Sequence, residues 1–273
     1  MHVVQVPPAP FALSARVTVH AVTAATDNYC WLLADSETGD VVVVDGPEAA
    51  PVLKFVESRG WRLVSIWNTH THGDHIGINQ ELLASKLTVV GPLGCPGLTR
   101  LVDEGDRIPF ADVEALVWRT EGHLKGHLSF VLPGAVFCGD TLFAGGCGYL
   151  FGGDAPAMFR SLMRLASLPP ETRVCCAHEY TWDNLKFAWS VEPENRALAE
   201  RIRSVRALRA EGRGEVPSTI ALEQATNPFL RPGSPEIRAR VAGASFEAVF
   251  AATRAWKDQK EYRSIEDDAM PGE

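Results

Sequence analysis

The residues of this sequence best suited to chemistry are three histidines and an aspartate packed into six positions. His70, His72, Asp74 and His75 follow one another directly after an apolar run at 63–68. Imidazole and carboxylate groups are the ligands that Zn²⁺, iron and Mn²⁺ accept in proteins. A chance cluster of core histidines would bury several titratable groups together without compensation, which is costly. We therefore predict that this string binds metal.

The spacing within the string separates its members into two pairs. In a nearly extended segment, His70 and His72 project the same way and can hold one ion. Asp74 and His75 lie where the chain turns into a helix that we predict to begin near Ile78. They point elsewhere and suit a second ion. Because the preceding run reads as a buried strand, the string lies at the strand's C-terminal end, where α/β proteins place their sites.

Three further ligand candidates stand at the ends of later predicted strands, namely His123, Asp140 and His178. A carboxylate can bridge two ions a few ångströms apart. The seven candidates therefore divide into two sites that share Asp140. For His127, four residues after His123, we predict a structural hydrogen-bonding role instead.

The elements that must position these residues alternate between sheet and helix up to about residue 179. Short apolar runs bounded by turn signals predict strands at 17–21, 30–33, 41–44, 63–68, 87–90, 113–119, 129–132, 136–138 and 174–177. Helix signals appear at 51–59 and 155–168.

After residue 180 the β-branched runs vanish, and Ala, Arg, Glu and Leu dominate. Helices are predicted at 195–211 and 245–261, within a small helical domain. The arginines between Arg201 and Arg209 are spaced round the helix, which predicts a solvated surface.

Composition limits the classes of partner. The chain has 273 residues, 46% hydrophobic residues and a formal net charge of −8, which is typical of a folded protein and unfavourable for binding nucleic acid or anionic membranes. No apolar run approaches the roughly 20 residues that span a bilayer, and the N-terminus lacks signal-peptide features. We expect a cytoplasmic protein in which an anionic substrate would need a local basic pocket. The six cysteines show no Cys-x-x-Cys spacing and are predicted to be buried thiols rather than a zinc finger.

The ligand string resembles the signature of the metallo-β-lactamase superfamily, and the rest of the chain looks like the glyoxalase II (hydroxyacylglutathione hydrolase) family. The resemblance runs from about residue 17 to 260 and is carried by the segments 26–33, 137–143, 145–148, 178–181, 184–188, 191–193, 216–219, 227–229 and 257–259. It implies an α/β fold, an αββα metallo-β-lactamase sandwich with a C-terminal helical domain. The expected divisions are an N-terminal extension at 1–16, a metallo-β-lactamase-type metal-binding domain at 17–179 and a helical substrate-binding domain at 180–273.

The resemblance also implies a site with two divalent metal ions, zinc in the first instance, with iron or manganese as alternatives. The residues that match the first metal's ligands are His70, His72 and His123. Those that match the second metal's ligands are Asp74, His75 and His178. Asp140 matches the bridging carboxylate, so that Asp74 and Asp140 are the expected catalytic carboxylates.

The substrate implied by the resemblance is S-D-lactoylglutathione, cleaved to D-lactate and glutathione in the detoxification of methylglyoxal. Tyr180 matches a tyrosine that contacts the tripeptide, and Arg254 with Lys257 matches a basic pair that meets its carboxylate. Without the resemblance, an Arg and a Lys on a helix would be taken as solvated. Tyr149 is a departure, because the family usually has Lys or Arg at this substrate-binding position.

We expect a monomer or a weak homo-oligomer.

A metal-bound hydroxide is the nucleophile expected for such a site, because a metal lowers the pKa of bound water from about 15.7 towards about 7. Three alternatives stay open at this stage. The first is a glutathione persulfide dioxygenase with one iron. The second is another metallo-β-lactamase-fold hydrolase, acting on lactams, lactones or RNA. The third is a noncatalytic metal-stabilised binding protein.

Overall fold

Strands rich in valine, leucine and aromatic residues form a seven-stranded sheet in the first third of the chain. The computed structural model describes residues 3–151 and 154–272. The first four strands pair antiparallel, and the fourth to seventh pair parallel. In spatial order they are β1 (Phe11–Ala12), β2 (Val17–Ala24), β3 (Asn28–Asp35), β4 (Asp40–Val44), β5 (Arg62–Trp67), β6 (Thr88–Gly91) and β7 (Arg100–Leu101).

A second sheet of six strands follows, and the last of its strands in the chain lies at one edge. Its strands are β8 (Arg107–Phe110), β9 (Val113–Arg119), β10 (Leu128–Leu132), β11 (Ala135–Gly139), β14 (Arg173–Cys176) and β15 (Ser218–Thr219). The spatial order is β15-β14-β11-β10-β9-β8, with only the β11–β14 pair parallel. A short hairpin of β12 (Leu142–Phe143) and β13 (Gly146–Cys147) leaves the end of β11.

Eight α-helices are described. Ser245 and Asn195 cap two of them by accepting hydrogen bonds from the N–H groups of Ala248 and Leu198, both at 3.2 Å. The helices are α1 (Ala50–Ser58), α2 (Gly73–Glu81), α3 (Ala155–Ala166), α4 (Thr181–Val191), α5 (Arg196–Ala210), α6 (Ile220–Thr226), α7 (Pro235–Arg240) and α8 (Phe246–Asp258). No described helix has the length and apolar character needed to cross a membrane.

Strand β3 shows how the layers stack, because all eight of its residues are buried. Alternate side chains of a strand point to opposite faces. Trp31 packs into the core between the two sheets, 6.3 Å from the ring of Phe137, whereas Leu32 packs with Val52 and Val56 of α1. The first sheet is therefore covered by helix on one face and by the second sheet on the other.

The second sheet carries helix on its outer face. On β9, Val117 faces the core, and the neighbouring Trp118 is covered by the guanidinium of Arg164 from α3, 4.2 Å from its ring centre. The order of layers is helix, sheet, sheet, helix, with six of the eight helices following the second sheet's β11 in the chain. The predicted αββα metallo-β-lactamase fold with a C-terminal helical part is confirmed.

Helix α2 begins earlier than predicted, and this is a correction with a physical cause. It starts at Gly73 rather than near Ile78, so Asp74 and His75 lie in its first turn. Gly77 lies inside this helix, although glycine is unfavourable in a helix interior. Here a Cβ on Gly77 would stand 1.9 Å from the carbonyl oxygen of Pro47. Close approach of the helix to that loop requires glycine.

The segment after residue 180 also differs from its predictions in two respects. It is not wholly helical, because β15 pairs with β14 at the edge of the second sheet. The arginines of α5 are not all solvated, because Arg201 is buried and pairs with Glu215 at 2.5 Å and Glu223 at 2.6 Å. Spacing round a helix could not reveal buried acidic partners that follow it in the chain.

The described part of the predicted N-terminal extension, residues 3–16, packs on the fold. Val3 N donates to Thr26 O at 2.8 Å, Gln5 N donates to Gly212 O at 2.7 Å, and β1 pairs with β2. Residues 1 and 2 lie outside the described residues.

Candidate active site

All seven predicted metal ligands converge, although they come from five separate parts of the chain. His70 and His72 follow β5, and Asp74 and His75 open α2. The remaining three come from later elements: His123 lies between β9 and β10, Asp140 follows β11, and His178 follows β14. The strand ends meet at one edge of the sandwich, as expected for ligands placed after strands.

Three histidines form the first group. His70 Nε2 lies 3.0 Å from His72 Nδ1, and His123 Nε2 lies 3.0 Å from the same His72 nitrogen. Asp140 Oδ2 is 3.5 Å from His123 Nε2. The ligand atoms of these four residues all lie within 4.8 Å of one another.

The second group consists of Asp74, His75 and His178. Asp74 Oδ2 lies 3.2 Å from His178 Nε2 and 3.6 Å from His75 Nε2. Asp140 Oδ1 lies 3.4 Å from His75 Nε2 and 3.5 Å from His178 Nε2. Asp140 thus presents one carboxylate oxygen to each group.

Hydrogen bonds on the outward ring nitrogens fix the orientation of these histidines. Such outer partners normally aim the other ring nitrogen of a histidine at a metal. The outward contacts are His75 Nδ1 to Asp45 Oδ2 at 2.9 Å, His123 Nδ1 to Tyr149 O at 2.8 Å and His178 Nδ1 to Asp27 Oδ1 at 2.8 Å. In each case Nε2 is left facing the interior of the cluster.

Two atoms at the centre have unmet bonding capacity. His75 Nε2 and Asp140 Oδ1 are buried, and neither has a hydrogen-bond partner among the described residues. A buried polar atom without a partner is costly and rare in native proteins. Seven ligand-type residues, with two buried atoms that make no hydrogen bond to the described residues, fit a site for divalent metal.

The charge states of the cluster also suit metal binding. Burial alone would raise the pKa of Asp140, but His75 and His178 outweigh it and hold that pKa well below its usual range. Burial keeps the pKa of His70 well below normal, so its imidazole is neutral. Burial also opposes the charging of His75, but Asp140 and Asp45 raise its pKa well above normal. A metal would take the place of that proton.

His127 takes the structural role predicted for it. It is fully buried, and its Nε2 accepts a hydrogen bond from the Asp140 backbone N–H at 3.2 Å. Its Nδ1 lies 3.1 Å from Thr120 Oγ1 and 3.2 Å from Thr141 Oγ1. The ring of His127 therefore holds the backbone of Asp140 in position.

Three residues of the site were missed by sequence reasoning. Asp45 and Asp27 orient histidines, and the ring of Phe151 stands edge-on to His72 and His123 at centroid distances of 5.5 and 5.4 Å. Asp45 follows the predicted strand 41–44, so the rule that placed Asp140 at a strand end could have found it. Asp27 and Phe151 gave no such signal.

A cavity of about 750 Å³ opens onto the cluster. It joins five of the predicted ligands to all four residues predicted to contact substrate. Its lining includes His72, Asp74, His123, Asp140 and His178 at the cluster, and Tyr149, Tyr180, Arg254 and Lys257 beyond it. His70 and His75 lie beneath this floor and are almost fully buried.

The basic pair in the cavity wall is buried rather than solvated. Arg254 is 2% exposed and Lys257 is 5% exposed. Arg254 donates to Cys147 O at 3.1 Å and to Asp258 Oδ1 at 2.6 Å, and Lys257 donates to the side-chain oxygen of Asn184. Burial, with a contribution from Arg254, lowers the pKa of Lys257 to about 7.

The two tyrosines flank the cluster on different sides. The ring of Tyr180 is stacked on His178, with centroids 4.8 Å apart and planes within 3° of parallel. Tyr149 supplies its carbonyl to His123 and leaves its ring against the cavity. Both side chains are more than one-third exposed, Tyr180 at 37% and Tyr149 at 38%.

Comparison with solved structures supports the fold. ETHE1 from Myxococcus xanthus superposes with a TM-score of 0.61 at 24% identity, over 88% of this chain and 97% of that one, which concerns the fold alone. TTHA1623, solved in a di-iron-bound form, is 29% identical with a TM-score of 0.56, over 77% of this chain and 98% of that one.

Sequence comparisons identify the family. A family model described as "Metallo-beta-lactamase superfamily" matches residues 95–178, and one described as "Hydroxyacylglutathione hydrolase C-terminus" matches residues 179–260. The hydroxyacylglutathione hydrolase of Synechocystis is 46% identical, over 88% of this chain and 98% of its own length. That of Methylococcus capsulatus is 49% identical, over 85% and 94%. This chain therefore belongs to the hydroxyacylglutathione hydrolase family, thioester hydrolases of the metallo-β-lactamase superfamily.

Proposed function

We propose that this protein hydrolyses S-D-lactoylglutathione to D-lactate and glutathione at a centre of two divalent metal ions. The observation that carries the proposal is the position of Asp140, whose two oxygens face two separate groups of ligand residues at the floor of the cavity. The names of the curated relatives supply the substrate class. The cationic wall of the same cavity suits the carboxylates of glutathione.

The first ion would be held by His70, His72 and His123, and the second by Asp74, His75 and His178. Asp140 would bridge them. When bound, such an ion pair lowers the pKa of a coordinated water towards about 7 and polarises a carbonyl oxygen. We propose zinc, with iron or manganese as alternatives. The di-iron form of TTHA1623 supports a two-metal centre of this type.

Other side chains of the cavity would bind the substrate and place its thioester carbon at the cluster. Arg254 and Lys257 offer positive charge to a carboxylate of the tripeptide, and Tyr180 offers a ring edge and a hydroxyl. The leaving thiolate needs little protonation, because a thiol has a pKa of only about 8.5. The cavity therefore requires no dedicated general acid.

The proposal also covers the domains, the partner and the oligomeric state of the protein. Residues 17–179 would form the metal-binding domain and residues 180–273 the substrate-binding domain. The net charge of −8 disfavours nucleic acid as a partner, so a small glutathione thioester in the cytoplasm is the proposed partner. We propose a monomer or a weak homo-oligomer.

The test is to follow thioester absorbance of S-D-lactoylglutathione with purified protein and to determine the metal content of the same sample. We expect cleavage with about two metals per chain. Full metal loading without cleavage would show that the substrate is wrong. Oxygen uptake with glutathione persulfide and one iron per chain would instead assign the protein to the dioxygenases.

A further inference from the structure

The positive charges around the cavity are mostly offset by the protein itself. Arg254 pairs with Asp258 at 2.6 Å, and Arg263 Nε lies 3.3 Å from Asp183 Oδ1. Lys257 is buried beside Arg254, and this environment disfavours its charged form near neutral pH. An anionic substrate therefore gains less from these three cations than their number suggests.

Lys260 differs from the other three in its surroundings. It follows α8, is exposed, and has no ion pair with a carboxylate among residues 3–151 and 154–272. Its Nζ lies 5.8 Å from the centre of the Tyr149 ring, which lines the cavity. Lys260 is thus an exposed ammonium, without an ion pair in the described part of the chain, next to a residue of the cavity wall.

The position of Lys260 is set from both sides. Its backbone takes the left-handed conformation, with φ of 63°, and its N–H donates to Lys257 O at 3.0 Å. The guanidinium of Arg254 lies 5.1 Å from the centre of the same Tyr149 ring, so this ring has two cations near it. A cation on the face of an aromatic ring is attracted weakly compared with one that binds a carboxylate. The weak contact with the ring therefore positions the Lys260 ammonium and leaves it able to bind a carboxylate.

We propose that Lys260, held over the ring of Tyr149, is a specificity-determining residue that binds a carboxylate of the peptide part of the substrate. This inference rests on the proposed function, because it takes the peptide to be that of a glutathione thioester. The carboxylate belongs to either the glycyl or the γ-glutamyl residue. Both have the same chemistry.

The test compares Lys260→Gln with Lys260→Arg. We expect Lys260→Gln to raise KM for S-D-lactoylglutathione by about 3- to 10-fold with kcat within about twofold, because only a binding contact is lost. Lys260→Arg keeps the charge and should stay within about twofold of the wild type in both constants. Lys54→Gln on α1 removes an equal charge from an exposed site away from this cavity and serves as the matched control.

Binding of a non-hydrolysable S-alkylglutathione, measured by calorimetry, separates this inference from the proposed function. A tight wild-type complex that Lys260→Gln weakens supports the inference whether or not the thioester is cleaved. Equal affinity of the two proteins would overturn it while leaving the hydrolase proposal intact. If neither protein binds, the inference fails, and cleavage of S-D-lactoylglutathione alone decides the proposed function.

Two further variants refine the result. In a Tyr149→Leu background, Lys260→Gln should have a smaller effect, because the ring no longer holds the ammonium in place. An S-alkylglutathione with its glycyl carboxylate converted to an amide identifies the carboxylate. Loss of the Lys260 effect with this ligand assigns the glycyl group, and persistence assigns the γ-glutamyl group.

Discussion

Loss of the Asp140 side chain should affect both groups of ligand residues. Replacing it with alanine removes the oxygens that lie 3.4–3.5 Å from His75, His123 and His178. We expect Asp140→Ala to lower kcat/KM by at least about 100-fold and to reduce metal content on purification, since losing even an outer-shell partner costs about 10- to 100-fold.

Metal analysis and thioester cleavage on one preparation check this prediction. Asp268→Ala, an exposed aspartate near the C-terminus, should leave both values unchanged. Retention of two metals with full activity in Asp140→Ala would remove the bridging role.

Lys257 should give substrate binding a pH dependence. Because its pKa lies at about 7 in the folded protein, its positive charge is lost as pH rises from 6 to 8. We expect KM for an anionic glutathione thioester to rise across this interval. In Lys257→Arg, which stays charged, KM should change much less. Steady-state kinetics at constant ionic strength test this, and an unchanged KM profile in both proteins would contradict it.

Lys257 also makes the stability of the protein depend on pH, but stability rises with pH where substrate binding weakens. In the unfolded chain its pKa is about 10.4, so between the two values the unfolded state binds more protons. Its contribution to the unfolding free energy therefore rises with pH from about 7 to about 10.4. Below about 7 both states carry the charge, and the folded state bears the full cost of burying it.

Local patterns identified the candidate ligands but not the residues that orient them. The string 70–75 is recognisable because its members are neighbours in sequence, and Asp140 and His178 because each follows a strand. Asp27 reaches His178 across 151 positions, and the contact depends on how two sheets are registered. The burial of Arg254 and Lys257 likewise depends on where α8 docks.

At the scale of elements, α2 depends on one glycine for its place over the site. A Cβ on Gly77 would meet the Pro47 carbonyl oxygen at 1.9 Å, so Gly77→Ala must displace the helix or the loop. Overpacking costs about 1–3 kcal/mol, which lowers Tm by about 2–12 °C in a protein of this size. We also expect metal content to fall, because α2 carries Asp74 and His75.

Thermal unfolding and metal analysis provide the comparison. Gly73→Ala lies in the same helix, and its added Cβ meets nothing within 4 Å, so it should keep the wild-type Tm and metal content. Equal behaviour of the two variants would show that the close approach is unimportant.

Strands with long apolar runs were predictable, and short strands were not. All nine strands predicted from apolar runs are present. Four of the five predicted helices agree within a few residues at each end, whereas α2 begins at Gly73 rather than near Ile78, and α4, α6 and α7 were not predicted individually. The six missed strands are β1, β7, β8, β12, β13 and β15, of two to four residues each. Such strands form through pairing with neighbours and carry too few residues for a period-two signal.

At the scale of the molecule, a buried ionic network connects the C-terminal helices to the site. Glu223 Oε1 pairs with Arg201, and its Oε2 accepts hydrogen bonds from the Gly145 N–H and the Asn227 side chain, both at 2.9 Å. Gly145 belongs to the turn between β12 and β13 that leads to Tyr149. Glu223 therefore links α5 and α6 to a wall of the cavity.

We expect Glu223→Ala to destabilise the protein by about 3–5 kcal/mol, because it leaves part of a buried positive charge uncompensated. Tm should fall by about 6–20 °C. Glu114→Ala breaks an exposed pair with Arg107 at 2.6 Å and should cost at most about 1 kcal/mol. Denaturant unfolding of both variants measures the difference in unfolding free energy. Equal losses in the two variants would show that the network does not stabilise the protein.

The burial of all six cysteines has a chemical consequence for a protein that handles thioesters and releases a thiol. Cys147 lies in the wall of the cavity. Burial raises the pKa of its thiol even though Arg254 and Lys257 oppose the shift. A protonated thiol is a poor nucleophile. The protonated Cys147 thiol thus resists acylation by a bound thioester, so the acyl group passes to water alone.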